Sequence, residues 1–77
     1  MTIQIAVTVD ARNLSCPMPI VKTAIAIKEL ASGQVLEVLA TDRGSVKDFA
    51  AWSKTTGNEL IESDVQDRVF RFVLRKK

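Results

Sequence analysis

The sequence predicts an α+β fold in which two helices cover one face of a four-stranded mixed β-sheet. Four segments with alternating or β-branched apolar residues are typical of strands. Two further segments repeat their apolar residues every three to four positions, as amphipathic helices do. The order is β-α-β-α-β-β, and 77 residues with 47% apolar and 26% charged side chains suit one folded domain. We therefore expect a single two-layer α/β sandwich over residues 1–77.

The first strand is predicted over residues 3–9 and the first helix over residues 17 to about 31. In the strand, isoleucine and valine alternate with glutamine, alanine and threonine, which indicates one buried face. In the helix, Ala26 is expected to face away from the core. The predicted buried stripe follows helical spacing and comprises Ile20, Val21, Ala24, Ile27, Leu30 and Ala31.

Gly33 is predicted to end the first helix by adopting a left-handed conformation. The second strand follows at residues 34–41. Apolar residues occupy both of its faces, with Glu37 as the exception, which is typical of a central strand. Because a strand–helix–strand unit makes a right-handed crossover, the first two strands should pair in parallel.

The second helix is predicted between Ser45, a good N-cap residue, and Gly57, which ends it. Asp48 stands three residues after Ser45, as in a shortened capping box. Trp52 falls beside the predicted inner face, and we favour its packing against the sheet edge over exposure at a partner surface. The predicted inner face comprises Val46, Phe49, Ala50 and Ser53.

Residues 59–63 and 68–75 are predicted to form an antiparallel hairpin, in which Phe70, Phe72 and Leu74 share one face. With both helices on one side, the other face of the sheet is expected to be open. Its apolar residues are consistent with a partner surface or with scattered exposed side chains. The predicted members of this open face are Gln4, Ala6, Thr8, Val35, Glu37, Leu39, Arg71 and Val73.

Composition and charge exclude several classes of function. The net charge of +2 arises largely at residues 71–77, which indicates a solvated terminus and argues against direct nucleic-acid binding. One cysteine and no histidine leave no internal disulfide, no Cys–His pair and no cluster of such ligands for a metal. No apolar run approaches the ~18 residues of a membrane span, and no signal segment is recognisable, so we expect a cytoplasmic protein without membrane contact.

The candidate catalytic residue is Cys16, within the segment LSCPMPIV at residues 14–21. With Cys16 as the N-cap of the first helix, Pro17 and Pro19 would occupy positions whose N–H groups need no partner inside the helix. Both rings would stiffen the chain beside the sulfur. The positive end of the helix dipole would stabilise a thiolate and lower the cysteine pKa, and Arg12 would add a positive charge.

Each of these residues also has a simpler interpretation. Cys16 is consistent with a small buried core residue, as many free cysteines are. Met18 either lines an apolar contact site beside the sulfur or fills space. Asp10 and Arg12 either pair and order the loop before Cys16 or remain solvent-exposed.

Two stretches, VDARNLSCPMPIVKTAIAIKEL and GQVLEVLATDRGSVKDFAAWSKTTGNEL, resemble the TusA/SirA family of small sulfur-carrier proteins. Their specific element is CPMP about six residues beyond an Asp-Ala-Arg triplet. The resemblance implies the βαβαββ fold and a role in sulfur transfer. Cys16 would accept sulfane sulfur from a donor such as a cysteine desulfurase or a rhodanese. It would hold the sulfur as a covalent persulfide, without another cofactor, and pass it to an acceptor protein, with Pro17 and Pro19 as its structural frame.

The same resemblance implies several alternative pathways. Members of the family serve thiolation of the tRNA wobble uridine, sulfur oxidation, molybdenum-cofactor maturation or selenium metabolism. Asn13 and Ser15 replace the glycine and arginine that are common in the tRNA-relay members, and Ser53 and Asn58 stand where cysteine and histidine often occur. These departures leave the implied sulfur-carrier role intact but weaken the implication of the tRNA relay.

Two other functions compete with sulfur transfer. In the first, the chain is a non-catalytic regulatory or interaction module that uses the open sheet face, and Cys16 is structural. In the second, Cys16 is a redox thiol, which is disfavoured because no second cysteine can resolve its oxidised form. We prefer a sulfurtransferase-type carrier over a stand-alone turnover enzyme.

Overall fold

The computed structural model describes residues 4–77, which form the six predicted elements in the predicted order. β1 begins and ends two residues later than predicted, and Ile3 lies outside the described residues. The elements are β1 (Ile5–Ala11), α1 (Met18–Ile27), β2 (Val35–Ala40), α2 (Ser45–Thr56), β3 (Glu59–Gln66) and β4 (Val69–Arg75).

The four strands form one mixed sheet in the order β1-β2-β4-β3. β1 and β2 pair in parallel, as the crossover requires, and β4 pairs antiparallel with both β2 and β3. Ile27 of α1 and Phe49 of α2 share one core cluster with Val38 of β2, so both helices cover the same face of the sheet. The predicted two-layer α+β fold is confirmed.

Aromatic packing at the centre of the core joins α2 to β4. The rings of Phe49 and Phe72 are both fully buried and stack with their centroids 4.6 Å apart. Trp52 meets the edge of Phe49 at 6.3 Å and packs, partly buried, against the core, so it is a packing residue as preferred, with Phe49 of its own helix as its aromatic neighbour. Burying one phenylalanine contributes about 1.5–3 kcal/mol, which makes this cluster a principal source of stability.

α1 ends earlier than predicted, at Ile27. Lys76, from the end of the chain, donates from Nζ to the carbonyl of Leu30 just beyond the helix, at 2.5 Å. Gly33 does adopt a left-handed conformation, with φ +90°, but it lies in the turn before β2 and not at the helix cap. Its N–H donates to the carbonyl of Lys76 at 2.8 Å, so this turn is tied to the C-terminal segment.

The buried face of α1 is rotated relative to the prediction. Its buried residues are Pro19, Thr23 and Ile27, and Ala26 packs partly against the core instead of facing away. Val21, which was expected in the stripe, is exposed. The prediction missed Thr23 because threonine is polar, but its hydroxyl donates to the carbonyl of Pro19 at 2.8 Å and is thereby satisfied inside the core.

α2 ends at Gly57 as predicted, with φ +81° and its N–H bonded to the carbonyl of Ser53. Its N-cap is Gly44, however, and the predicted N-cap Ser45 is the first helical residue and is buried. The predicted inner face is correct for Phe49 but wrong for Val46 and Ala50, which are exposed. Trp52 contributes to the inner face in their place.

The predicted hairpin is confirmed, but its connection is shorter than expected. β3 continues to Gln66, and the turn consists of Asp67 and Arg68, with φ of +52° and +67°. Positive φ at both central residues is the requirement of the two-residue turn that matches strand twist. The strand prediction stopped early because residues 64–66 look like a polar loop.

The face of the sheet without helices is closed largely by polar side chains. Arg71 forms ion pairs with Glu37 and Glu62, and Thr8 donates to Glu37 at 3.0 Å, so the contacts cross all four strands. Val73, predicted as a member of an open apolar surface, is fully buried. Val35 is buried as well, and these two residues therefore offer no exposed area to a partner.

Candidate sulfur-transfer site

Cys16 lies in the loop between β1 and α1, beside the loop between β2 and α2. The carboxyl ends of two parallel neighbouring strands meet at the same edge of a sheet, which brings these loops together. Two hydrogen bonds join them: the N–H of Asn13 donates to Thr41 Oγ1 at 2.8 Å, and the N–H of Cys16 donates to Asp42 Oδ2 at 2.9 Å. Cys16 itself is exposed, so the hypothesis of a buried structural cysteine is wrong.

The thiol of Cys16 is directed at a carboxylate. Sγ donates a hydrogen bond to Asp48 Oδ2 at 2.8 Å, in the first turn of α2. Asp42 is fixed in turn by the N–H of Gly44, which donates to Oδ1 at 3.3 Å. Two carboxylates therefore contact Cys16. Asp42 accepts a hydrogen bond from its backbone N–H, and Asp48 accepts one from its thiol.

This environment raises the pKa of the Cys16 thiol. The largest cause is the hydrogen bond to Asp48, followed by desolvation and by the negative charges of Asp48 and Asp42. The predicted lowering of the pKa by the helix dipole is wrong, because close carboxylates outweigh a partial charge spread over the first turn. At neutral pH the resting thiol is therefore protonated.

The helix start is displaced by one residue from the prediction. Pro17 and not Cys16 is the N-cap, so Met18 and Pro19 take the first two helical positions. The carbonyl of Pro17 accepts the N–H of Val21 at 3.0 Å, and the Cys16–Pro17 peptide bond is cis. Pro19 is buried against the core, which anchors the beginning of α1.

Asp10 and Arg12 form a pair, which was one of the two interpretations left open, and both side chains also remain exposed. Arg12 Nε and Nη2 donate to the two carboxylate oxygens of Asp10 at 2.9 and 3.0 Å, and the N–H of Arg12 adds a third bond. These contacts lower the pKa of Asp10 to about 2. Lys22 Nζ donates to the carbonyl of Asp10 at 3.1 Å, linking α1 to the end of β1. Arg12 is thus occupied by Asp10 and is not a cation held against the sulfur.

An exposed row of apolar side chains begins next to the cysteine. Met18, Val21 and Ile25 have helical spacing on one face of α1, and their side chains are 40–62% exposed. We call these three residues the apolar stripe. Met18 is therefore not core filler, which leaves the apolar contact site as the remaining interpretation of this residue.

Sequence reasoning did not assign Asp42 and Asp48 to the site. Asp48 was interpreted as part of a capping box, and Asp42 stood in a connecting turn. A usable signal existed for Asp42, which lies two residues beyond the end of β2, the strand that pairs in parallel with the strand before Cys16. Within residues 4–77, no group of three or more cysteine and acidic side chains converges as a metal site would require. That same part of the chain contains no helix with the length and apolar character needed to span a membrane.

Comparison with known proteins matches residues 7–76 to the family model described as sulfurtransferase TusA. The chain belongs to the TusA family. Its predicted resemblance to TusA/SirA proteins is thereby confirmed, together with the sulfur-carrier character of that family.

Relatives of the TusA family support the same assignment. The sulfur carrier protein TusA of Allochromatium vinosum is 51% identical over 67 residues, which are 87% of this chain and 88% of that protein. YrkF of Bacillus subtilis is 47% identical over 70 residues, and the match spans 91% of this chain but 38% of YrkF. The crystal structure of a SirA-like protein from Desulfitobacterium hafniense has a TM-score of 0.80 at 25% identity, covering 90% of this chain and 95% of that one.

Proposed function

We propose that this protein carries sulfane sulfur as a persulfide on Cys16 and passes it to an acceptor protein. The observation that carries the proposal is the exposed Cys16 thiol, hydrogen-bonded to Asp48 at 2.8 Å in a chain of the TusA family. Exposure lets a second protein reach the sulfur. The carboxylate gives the thiol proton a defined acceptor.

Loading of Cys16 is a redox-neutral exchange of sulfur. The thiol proton moves to Asp48 Oδ2, its hydrogen-bond partner, and the thiolate attacks the outer sulfur of a persulfide on the donor. A new S–S bond forms on Cys16 as the S–S bond of the donor breaks. The electron pair of the broken bond leaves with the donor thiolate, which regains the proton from Asp48.

Release of the sulfur reverses these roles. The acceptor thiol gives its proton to Asp48, its thiolate attacks the outer sulfur on Cys16, and the Cys16 thiolate leaves with the electron pair of the broken S–S bond and takes that proton from Asp48 Oδ2. The negative charges of Asp42 and Asp48 disfavour a persulfide anion beside them, which promotes transfer over retention. Because the sequence holds one cysteine, the attacking thiol comes from another molecule.

Donor and acceptor are proteins in this proposal. Cysteine desulfurases and rhodaneses generate protein-bound persulfides and so fit the donor role. The apolar stripe of Met18, Val21 and Ile25 offers the neighbouring contact area that protein docking needs. The acceptor belongs to one of the family's pathways, namely tRNA thiolation, sulfur oxidation, molybdenum-cofactor maturation or selenium metabolism.

Intact-protein mass spectrometry after incubation with a cysteine desulfurase and cysteine tests the proposal. We expect a gain of about 32 Da, one sulfur atom, that dithiothreitol reverses. Cys16→Ser should gain nothing, while Ser15→Ala, at the adjacent exposed position, should load as the wild type does. Loading of Cys16→Ser, or no loading of the wild type by desulfurases or rhodaneses, would contradict the proposal and favour an interaction module.

A further inference from the structure

A groove of about 510 Å³ separates the tip of the β3–β4 hairpin from the loop after β2. Thr41 and Arg43 line it from the β2–α2 loop, and Arg68 lines it from the hairpin turn. Val65 and Phe70, which are direct cross-strand neighbours, complete the lining. A volume of this size lies within the ~300–1,000 Å³ range of small-molecule binding sites.

The two arginines of the groove have no acidic partner within residues 4–77. The chain has five arginines, and Arg12, Arg71 and Arg75 all form ion pairs with carboxylates. Arg43 and Arg68 are exposed and form none. A guanidinium presents five N–H donors in a planar fork that matches a carboxylate, so the groove offers two such forks.

An apolar surface is exposed beside these cations. The side chain of Val65 is 58% exposed, although it stands in a strand, and Phe70 beside it is half-buried. On β4 the next residue of the same face, Phe72, is fully buried, so the apolar core surface reaches the groove through Phe70. A complementary ligand therefore combines carboxylates with at least one apolar side chain.

The groove is joined to the sulfur site through the β2–α2 loop. Asp42, between Thr41 and Arg43 in the chain, accepts the N–H of Cys16 at 2.9 Å. Its carboxylate also accepts the N–H of Gly44, and it forms no ion pair with Arg43. A molecule seated in the groove thus rests on the loop that positions Cys16.

We propose that this groove docks an acidic segment, bearing an apolar side chain, of a protein that exchanges sulfur with Cys16. The proposal rests on the proposed function for the identity of the partner. A peptide segment fits better than a nucleic acid because two arginines make a small basic patch, and the remaining lining is a valine and a half-buried ring.

The test is an NMR titration of the ¹⁵N-labelled full chain with the peptide acetyl-Asp-Leu-Glu-Phe-Asp-amide. We expect chemical-shift changes concentrated on the groove residues. Binding of the peptide should weaken as the salt concentration rises. The double variant Arg43→Glu/Arg68→Glu should raise the Kd at least tenfold. The matched control Lys47→Glu/Lys54→Glu changes the net charge equally at exposed positions of α2 and should leave the Kd within about twofold.

Three outcomes overturn the proposal. One is equal weakening by both double variants, and another is equal binding of a peptide with serine in place of leucine and phenylalanine. The third is a tighter, groove-centred interaction with oligothymidylate, which would assign the groove to nucleic acid. Loading of Cys16 by inorganic polysulfide needs no docking, so the Arg43→Glu/Arg68→Glu variant should load normally. Failure of wild-type loading would instead defeat the proposed function, whatever the peptide does.

Discussion

Cys16 and Asp48 are 32 positions apart in the sequence, yet the cysteine Sγ lies 2.8 Å from a carboxylate oxygen of the aspartate. The contact joins the loop before α1 to the first turn of α2. It raises the pKa of the thiol and supplies an acceptor for its proton. A side chain of α2 therefore controls the ionisation of a cysteine that lies in the loop before α1.

Asp48→Asn should lower the pKa of Cys16, because it removes the negative charge that strengthens the hydrogen bond from the thiol and repels the thiolate. Below the thiol pKa, the thiolate fraction grows as the pKa falls, and this gain exceeds the accompanying loss of thiolate nucleophilicity, so alkylation by iodoacetamide at pH 7 should accelerate. The pH dependence of the alkylation rate gives both pKa values. Asp67→Asn, in the exposed hairpin turn, is the matched control and should leave the rate unchanged. A thiol pKa that stays constant or rises in Asp48→Asn would contradict the role of this carboxylate.

Arg12→Gln should raise the pKa of Asp10 from about 2 towards its ordinary value near 3.8. The lowered pKa means that the folded state favours the ionised carboxyl, so any stability from the pair is present above pH 4 and is lost as the pH falls towards 2. Both side chains are exposed, and the contribution to global stability should be small. Carboxyl ¹³C chemical shifts during an acid titration measure the effect. Arg75→Gln, which interrupts a different exposed pair, should not move the titration of Asp10.

Phe49→Ala should destabilise the fold by about 3–5 kcal/mol, because it removes a fully buried ring stacked on Phe72. Phe49→Leu keeps most of the volume and should cost less, about 1–1.5 kcal/mol, so it remains measurable if the alanine variant fails to fold. Urea unfolding followed by Trp52 fluorescence gives the free energy of unfolding. Val46→Ala, at an exposed position of the same helix, should change it by less than about 0.5 kcal/mol. A similar loss of stability in Val46→Ala and Phe49→Ala would contradict the central position of Phe49 in the core.

Gly57→Ala should cost about 1–2 kcal/mol, since φ of +81° forces an L-residue into the left-handed region. The new Cβ would also stand 2.9 Å from Lys77 Cδ, but that flexible side chain can move away. Lys77→Ala should therefore fail to rescue the variant. Gly44→Ala is the contrasting case, because its φ is −67° and its nearest new contact is 3.6 Å, and it should be neutral or stabilising by up to about 1 kcal/mol. Equal losses at the two glycines would show that conformation is not the cause.

Element order and strand pairing could be predicted from the sequence because alternation and helical spacing report on which side chains are buried. Helix faces were less accessible to prediction, as Thr23 and Trp52 illustrate. A buried threonine satisfied by a local carbonyl looks polar in a pattern, and a tryptophan at the rim of a face depends on the partner helix and sheet. The end of α1 was also hard to predict, because Lys76 contacts the turn after this helix from 46 positions away in the sequence. Local sequence patterns contain no information on such a distant contact.

Cys16 could be found from its sequence context, but the charge around it could not. The helix start predicts a stabilised thiolate when only neighbouring residues are considered. The reversal comes from Asp42 and Asp48, which the parallel pairing of β1 and β2 and the placement of α2 bring to the sulfur. Predicting this effect of two distant carboxylates on the thiol requires the tertiary structure.

The contact between Cys16 and Asp48 also makes the thiol a reporter of the folded state. An unfolded chain lacks this carboxylate contact, so its cysteine has an ordinary pKa and a larger thiolate fraction at neutral pH. Folding therefore lowers the thiolate fraction of Cys16 at neutral pH while leaving the residue exposed. Brief exposure to an alkylating agent would therefore label unfolded molecules faster than folded ones.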